Sequence, residues 1–150
     1  MSFGFAGGGV HAPDIEQLAK SYENVEYLGL VSASEAAQLN CDYEWALLPI
    51  EDEVTRYAFP SKSSSYVFAG AAVMAICGEQ TSVADWTIGN NLGVVVSPDQ
   101  DSLVETFFKI ERGELDANDH VVDRSALKAR LNFDYFLGRL KEIMPLQVKP

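Results

Sequence analysis

The fold is decided by residues 60–76, which read PSKSSSYVFAGAAVMAI. Ser61 follows a proline and can cap a helix, and the apolar residues Tyr66 and Ala69 continue that helix with helical spacing. Residues 72–76 are then apolar without alternation, which is typical of a parallel strand that is buried on both faces. A helix that leads into a buried strand indicates a fold of the α/β class.

The alternation of strand and helix continues in both directions from this stretch. Four further strands are predicted near residues 2–6, 25–28, 43–49 and 92–96, and helices separate them. Strands that alternate with helices form mainly parallel sheets with helices on both faces. The sequence therefore predicts a single Rossmann-like domain over residues 1–150, with three α/β/α layers and about five strands.

The C-terminal part of the chain is predicted to be helical. Residues 113–119 are interpreted as a linker, and two helices follow within residues 120–144. The last helix carries an apolar stripe, formed by Phe133, Phe136, Leu137, Leu140 and Met144. Such a stripe must be covered. We expect a homodimer that pairs through this helix or through a sheet edge, or else a monomer in which the helix folds back onto its own domain.

The chain is acidic, and its charge is unevenly distributed. Residues 1–108 hold 15 acidic and 3 basic side chains, a net charge of −12. Residues 109–150 hold 8 basic and 7 acidic ones, a net charge of +1, so the two parts sum to −11. This charge repels a nucleic-acid backbone and excludes nucleic-acid binding. An anionic small molecule needs local cations, and Arg56 and Lys62, two of the three bases in the acidic part, lie six positions apart.

No stretch of the sequence has the pattern of a membrane or targeting segment. The longest apolar runs, such as residues 67–75, are far shorter than the ~20 residues that cross a bilayer. Residues 1–10 lack the basic start of a signal peptide. We therefore expect a cytoplasmic protein without a membrane span.

Neither a metal ion nor a cofactor is expected. Cys41 and Cys77 are predicted to be buried free thiols, because two cysteines and two distant histidines form neither a disulfide framework nor a zinc site. Asp99-Gln100-Asp101 has the spacing of a metal-binding Asp-x-Asp motif, but its position after Ser97-Pro98 favours helix capping. Residues 51–53, which are all acidic, are interpreted as a solvated loop.

Four segments along the chain have the order and spacing of a known family pattern. The first is FAGGG at residues 5–9, a strand and a glycine-rich turn, and the second is NVEYLG at residues 24–29, similar to N-V-x-F-x-G. The third, residues 60–73, is similar to P-S-K-x-x-E-Y-x-A-x-G-x-P-V, and the fourth, NLGVVV at residues 91–96, to G-x-V-V before a helix that starts with an acid. Over residues 2–144 the chain thus resembles the C-terminal, nucleotide-sugar-binding domain of retaining GT-B-fold glycosyltransferases of group 1.

The resemblance implies a donor site at the carboxyl ends of the strands, where ligands of such sheets bind. A helix that starts near Ser61 offers free N–H groups and partial positive charge to a diphosphate. Lys62 in its first turn opposes the helix dipole, which a bound phosphate would explain; alternatively, Lys62 faces solvent or pairs with the acids at residues 51–53. The expected donor-binding residues are Gly7, Gly8, Gly29, Arg56, Ser61, Lys62 and Ser65.

Departures from the family pattern limit the expected activity. The family's Glu-x7-Glu carboxylates correspond to Tyr57 and Ser65, and the strand and helix with the basic pair that grips the diphosphate would precede residue 1. No catalytic residue is assigned. We expect a truncated donor-binding half, inactive without an N-terminal acceptor domain in a longer protein. The alternative is a stand-alone, non-catalytic binding or assembly module, and an unrelated flavodoxin-like enzyme ranks last.

Overall fold

The computed structural model describes residues 1–120 and 123–144, in which five strands alternate with helices. The strands are β1 (Phe3–Ala6), β2 (Val25–Gly29), β3 (Trp45–Pro49), β4 (Ala72–Ile76) and β5 (Gly93–Val96). The helices are α1 (Ala12–Ser21), α2 (Ala33–Asp42), α3 (Lys62–Ala69), α4 (Ser82–Gly89), α5 (Gln100–Glu111), α6 (Ser125–Arg130) and α7 (Phe133–Ile143). Short 3-10 helices lie at Val54–Arg56 and Ala117–His120.

All strand pairs in the described residues are parallel, and the predicted α/β class is confirmed. The five strands do not form one continuous sheet, because β1 pairs only with β2 while β3, β4 and β5 form a second sheet in that order. Contacts divide the chain accordingly into an N-terminal unit, Met1–Tyr43, and a C-terminal unit, Glu44–Pro150. The prediction of one domain over the whole chain stays a prediction.

The N-terminal unit is thinly packed. It consists of β1, α1, β2 and α2, and none of its side chains is buried. Its sheet brings Phe5 beside Tyr27, and the Tyr43 hydroxyl lies so close to Gly4 that any side chain at that position would collide with it. Cys41, in the last turn of α2, is exposed, so the prediction of a buried thiol there is wrong. A two-stranded sheet offers too little apolar surface to cover that turn.

The C-terminal unit contains the hydrophobic core. The central strand β4 is buried from Ala72 to Ala75, as its uniformly apolar sequence predicted. Val67 of α3, Val83 of α4 and Leu92 pack around it and are fully buried. Glycine is required at the start of β5, because a Cβ on Gly93 would overlap the main-chain carbonyl of Val73 on the paired strand.

Side-chain caps define the starts of four helices. Ser32 and Glu35 form the predicted capping box of α2, in which the Ser32 N–H donates to Glu35 Oε2 over 2.7 Å. Asp99 Oδ1 accepts from the Ser102 N–H at 2.9 Å and caps α5, which confirms its interpretation as a helix cap. Thr81 caps α4 and Asn132 caps α7 in the same way.

The segment after α5 contacts α3 and β4. Within the predicted linker and just beyond it, the 3-10 helix Ala117–His120 contacts β4, and Ala117 is buried. Arg124 is also buried and donates to the carbonyl oxygens of Ala71 at 2.9 Å and His120 at 3.0 Å. Lys128 Nζ donates to the Phe68 carbonyl at 3.2 Å. Two cations therefore satisfy carbonyl groups at and just beyond the C-terminal end of α3.

No helix in residues 1–120 and 123–144 is long and apolar enough to cross a membrane.

Candidate functional site

The candidate donor-binding residues divide between the two units. Gly7, Gly8 and Gly29 belong to the N-terminal unit, where they follow or end β1 and β2. Those of the C-terminal unit are Arg56, Ser61, Lys62 and Ser65. Arg56 lies in the 3-10 helix that follows β3, while Ser61, Lys62 and Ser65 lie at or near the start of α3.

The glycine turn of the N-terminal unit is closed by its own hydrogen bonds. The Gly7 N–H donates to the Gly29 carbonyl at 2.7 Å, and the Gly7 carbonyl accepts from the Tyr27 hydroxyl at 2.9 Å. Gly7 and Gly29 both have positive φ angles, 132° and 66°, which explains the choice of glycine. The turn is therefore accounted for without a ligand, and the Gly7 N–H is already used. Gly8 is the exposed glycine of the three candidates.

The start of α3 points to the carboxyl edge of the three-stranded sheet. Because β3 and β4 are parallel neighbours, the chain must return between them, and α3 makes this return. The Tyr66 hydroxyl fixes α3 on β3 by donating to the Leu47 carbonyl at 3.2 Å. The first turn of α3 thus lies where ligands of α/β sheets bind.

The first turn of α3 differs from those of the capped helices. Ser61 occupies the N-cap position, as predicted, but its hydroxyl makes no capping bond. The turn contains no acidic residue. Instead the buried Ser63 donates from both its N–H and its hydroxyl to the Pro60 carbonyl, at 3.1 and 2.7 Å. The hydroxyls of Ser61 and Ser65 remain exposed at this end of the helix.

Lys62 and Arg56 carry unpaired charges within the part of the chain that the structure describes. Both side chains are exposed, and neither forms an ion pair or a side-chain hydrogen bond there. The alternative that Lys62 pairs with the acidic loop at residues 51–53 is not observed. Asp52 instead turns toward the loop after β4, where its Oδ1 accepts from the Gly78 N–H at 2.7 Å.

Carboxylates outnumber cations at this edge of the sheet. Residues 51–53 follow β3, Glu79 follows β4 and Asp99 follows β5. The net charge of these residues is therefore negative, even with Arg56 and Lys62 included. Within residues 1–120 and 123–144, no three His, Cys, Asp or Glu side chains are grouped so that they could hold a metal ion.

The loop between β4 and α4 contains a hydrogen-bond network that sequence reasoning missed. The buried Cys77 thiol lies 3.3 Å from the Thr81 hydroxyl, which in turn donates to the Gly78 carbonyl at 2.9 Å. A Cβ on Gly78 would displace the Asp52 carboxylate from its present position. Burial raises the pKa of the Cys77 thiol, and the nearby Asp52 charge adds to this effect. Cys77 is therefore a packing residue and a poor nucleophile.

The two positions that correspond to the family's carboxylates are both exposed. Tyr57 follows the 3-10 helix Val54–Arg56 with 83% of its surface exposed, and Ser65 lies in the second turn of α3. Neither side chain supplies a charged acceptor for a ribose hydroxyl.

No family model, curated protein or solved structure matches this chain. The resemblance to the glycosyltransferases therefore depends on the four sequence segments.

Proposed function

We propose that this chain binds a nucleoside-diphosphate sugar, as the donor half of a glycosyltransferase does, and that it does not transfer the sugar alone. The observation that supports the proposal best is the unpaired Lys62 at the uncapped start of α3. A diphosphate would accept hydrogen bonds from the free N–H groups of this turn and would neutralise the charge of Lys62. Ser61 and Ser65 add exposed hydroxyl donors on the same end of the helix.

Binding through this turn is expected to be weak. Arg56 and Lys62 supply two positive charges against the carboxylates that follow β3, β4 and β5. Both cations are exposed, so water screens their attraction for a phosphate. We expect a dissociation constant on the order of 1 mM, which corresponds to roughly 4 kcal/mol of binding free energy.

Catalysis is not proposed for the isolated chain. The family's paired glutamates correspond to Tyr57 and Ser65, neither of which is a carboxylate. Glycosyl transfer also needs an acceptor held next to the donor in a closed site that excludes water. The chain is therefore proposed as a binding component, whose acceptor site would belong to another domain.

Calorimetric titration with UDP-glucose, GDP-mannose and ADP-glucose tests the proposal. At least one of these should bind, and Lys62→Ala should weaken the binding by roughly tenfold, the effect of losing one charge-assisted contact. Lys109→Ala is the matched control, because it removes the same charge from a helix on which no candidate site lies. Equal affinities for the Lys62→Ala variant and the wild type would remove α3 from the site.

A non-catalytic assembly module is the second candidate function. It is supported by the two positions that lack the glutamates and by the exposed apolar side chains of α7. The two candidates differ in one respect that can be measured. An assembly module should bind none of the three nucleotide sugars at millimolar concentration, although it should still self-associate.

A further inference from the structure

Arg124 is a buried cation without a counter-charge in the described part of the chain. Its side chain belongs to a residue that is only 7% exposed. The guanidinium donates to the carbonyl oxygens of Ala71, His120 and Tyr66, all of which are neutral acceptors. Within residues 1–120 and 123–144 it forms no ion pair. Arginine is almost never fully buried unless it is paired, so this charge lacks the anion that normally compensates it.

One donor of the same guanidinium is unused. Arg124 Nε is buried and has no hydrogen-bond acceptor among the residues that the structure describes. Most buried polar atoms in proteins do have a partner. Burial lowers the pKa of the Arg124 guanidinium, because the charged form loses hydration, yet arginine keeps its charge at neutral pH. Both the charge and the free N–H therefore favour an anion close to this side chain.

A cavity of about 190 Å³ lies next to Arg124. It is lined by Asn90, Asp123, Arg124, Ala126, Leu127 and Arg130. Asn90 shortly precedes β5, and the Ala71 carbonyl that Arg124 binds directly precedes β4. The cavity is therefore near the amino ends of these strands. The start of α3 lies at their carboxyl edge, so the cavity is separate from the candidate donor site.

The lining of this cavity is cationic, although the chain as a whole is acidic. Two of the lining residues are arginines and one is an acid, a net charge of +1, whereas the chain carries −11. Arg130 is exposed and forms no ion pair in the part of the chain that the structure describes. Asp123 uses its Oδ1 to accept from the Ser125 N–H at 2.9 Å. A monoanion would neutralise this lining, while a phosphate dianion would leave excess negative charge beside Asp123.

We propose that this cavity binds a small aliphatic carboxylate. The carboxylate would compensate the buried charge of Arg124 and accept hydrogen bonds from Arg130, since a guanidinium matches the geometry of a carboxylate. The short hydrocarbon part would pack against Ala126 and Leu127. The cavity is smaller than the clefts of ~300–1,000 Å³ that hold drug-sized ligands, so the acid should have only a few carbon atoms. Donor binding at the start of α3 is not required for this interaction.

Nuclear magnetic resonance of the backbone amides during titration with butyrate, at constant ionic strength and neutral pH, tests the proposal. Butyrate should shift the amides of residues 89–91 and 123–130, with saturation in the millimolar range. Butan-1-ol has the same hydrocarbon chain without the charge and should not shift them. Absence of saturable shifts with butyrate, or equal shifts with butan-1-ol, would overturn the proposal. Inorganic phosphate that binds as tightly as butyrate would contradict the carboxylate class.

A pair of arginine variants tests whether the lining cation is responsible. Arg130→Gln removes an exposed charge at the end of α6 and should weaken butyrate binding by roughly tenfold, the effect of losing one charge-assisted contact. Arg112→Gln is the matched control, because it removes the same charge from the C-cap of α5, outside the cavity. It should bind butyrate like the wild type. Equal affinities for Arg130→Gln and the wild type, or equal losses in both variants, would show that the cavity is not the site.

Discussion

The two units of this chain are built from the same alternation of strand and helix, yet only one of them has a buried core. The N-terminal unit pairs two strands and buries no side chain, although it contains the apolar residues Phe3, Phe5 and Tyr27. The C-terminal unit adds a third strand, and its central strand β4 is buried from Ala72 to Ala75. A two-stranded sheet has no central strand, so helices can cover it only partly.

This difference teaches that hydrophobic content alone does not make a core. In the C-terminal unit, α3 and α4 both pack against strands, and their side chains meet around Val73 and Val83. In the N-terminal unit, α1 contacts β2, but Leu18 of α1 is still 46% exposed. We therefore expect the stability of the chain to reside in residues 44–120 and to depend little on residues 1–43.

Matched leucine truncations in the two units should give the largest contrast. Leu92→Ala removes a fully buried side chain beside β5 and should lower the free energy of unfolding by ~2–5 kcal/mol, because it leaves a cavity in the core. Leu18→Ala removes a half-exposed side chain from α1 and should cost less than about 1 kcal/mol. Urea unfolding followed by the fluorescence of Trp45 and Trp86 measures both. Similar losses would show that the N-terminal unit contributes equally to the core.

Loss of the contacts between the C-terminal segment and the end of α3 should have an intermediate effect on the free energy of unfolding. Arg124→Ala leaves the Ala71 and His120 carbonyls without their donor and should cost about 1–3 kcal/mol. Arg130→Ala is the control, because Arg130 is an exposed arginine at the end of α6, the helix that Arg124 precedes. Thermal unfolding followed by circular dichroism compares the two variants. An Arg124→Ala variant as stable as Arg130→Ala would mean that α6 does not hold the end of α3.

The strand positions could be predicted closely because they depend on local pattern. The apolar run of β4 was predicted at residues 72–76 and occurs at Ala72–Ile76. The caps at Ser32 and Asp99 were predictable for the same reason, since capping involves residues three positions apart. The separation of the strands into two sheets was not predictable, because pairing joins residues far apart in sequence.

The candidate site was less predictable than the fold. Lys62 could be placed in the first turn of a helix from sequence, but whether it pairs with the acidic loop depends on where that loop turns. Asp52 bonds the Gly78 N–H, a contact between residues 26 positions apart that no local pattern reveals. The exposure of Cys41 was missed for a similar reason, because burial is decided by tertiary packing.

The smallest contrast should come from the pH dependence of two helix caps. The hydroxyl and then the N–H of Ser32 lower the pKa of Glu35 in the N-terminal unit, while the N–H and then the hydroxyl of Ser102 lower that of Asp99 in the C-terminal unit. A lowered folded-state pKa contributes stability above the unfolded-state value, and that contribution is lost as the pH falls through the folded-state value.

Global unfolding should report the C-terminal unit. Below about pH 4 the urea midpoint should therefore fall less steeply with decreasing pH in Asp99→Asn than in Glu35→Gln. Asparagine still caps a helix, so the Asp99→Asn variant should retain its stability near neutral pH. Urea midpoints measured from acid to neutral pH provide the comparison. If only Glu35→Gln reduces the loss of stability at acid pH, the N-terminal unit would determine global unfolding instead.

The proposed donor site is tested most directly by nuclear magnetic resonance of the backbone amides during titration with UDP-glucose, GDP-mannose and ADP-glucose, with uridine as the control without a diphosphate. The account predicts that at least one nucleotide sugar shifts the amides of residues 61–65 and of Arg56, with saturation on the order of 1 mM, and that in Lys62→Ala the same shifts need roughly tenfold more ligand. Uridine alone should not shift these amide resonances. Shifts confined to other parts of the chain, or an unchanged affinity in the Lys62→Ala variant, would contradict a donor site at the start of α3.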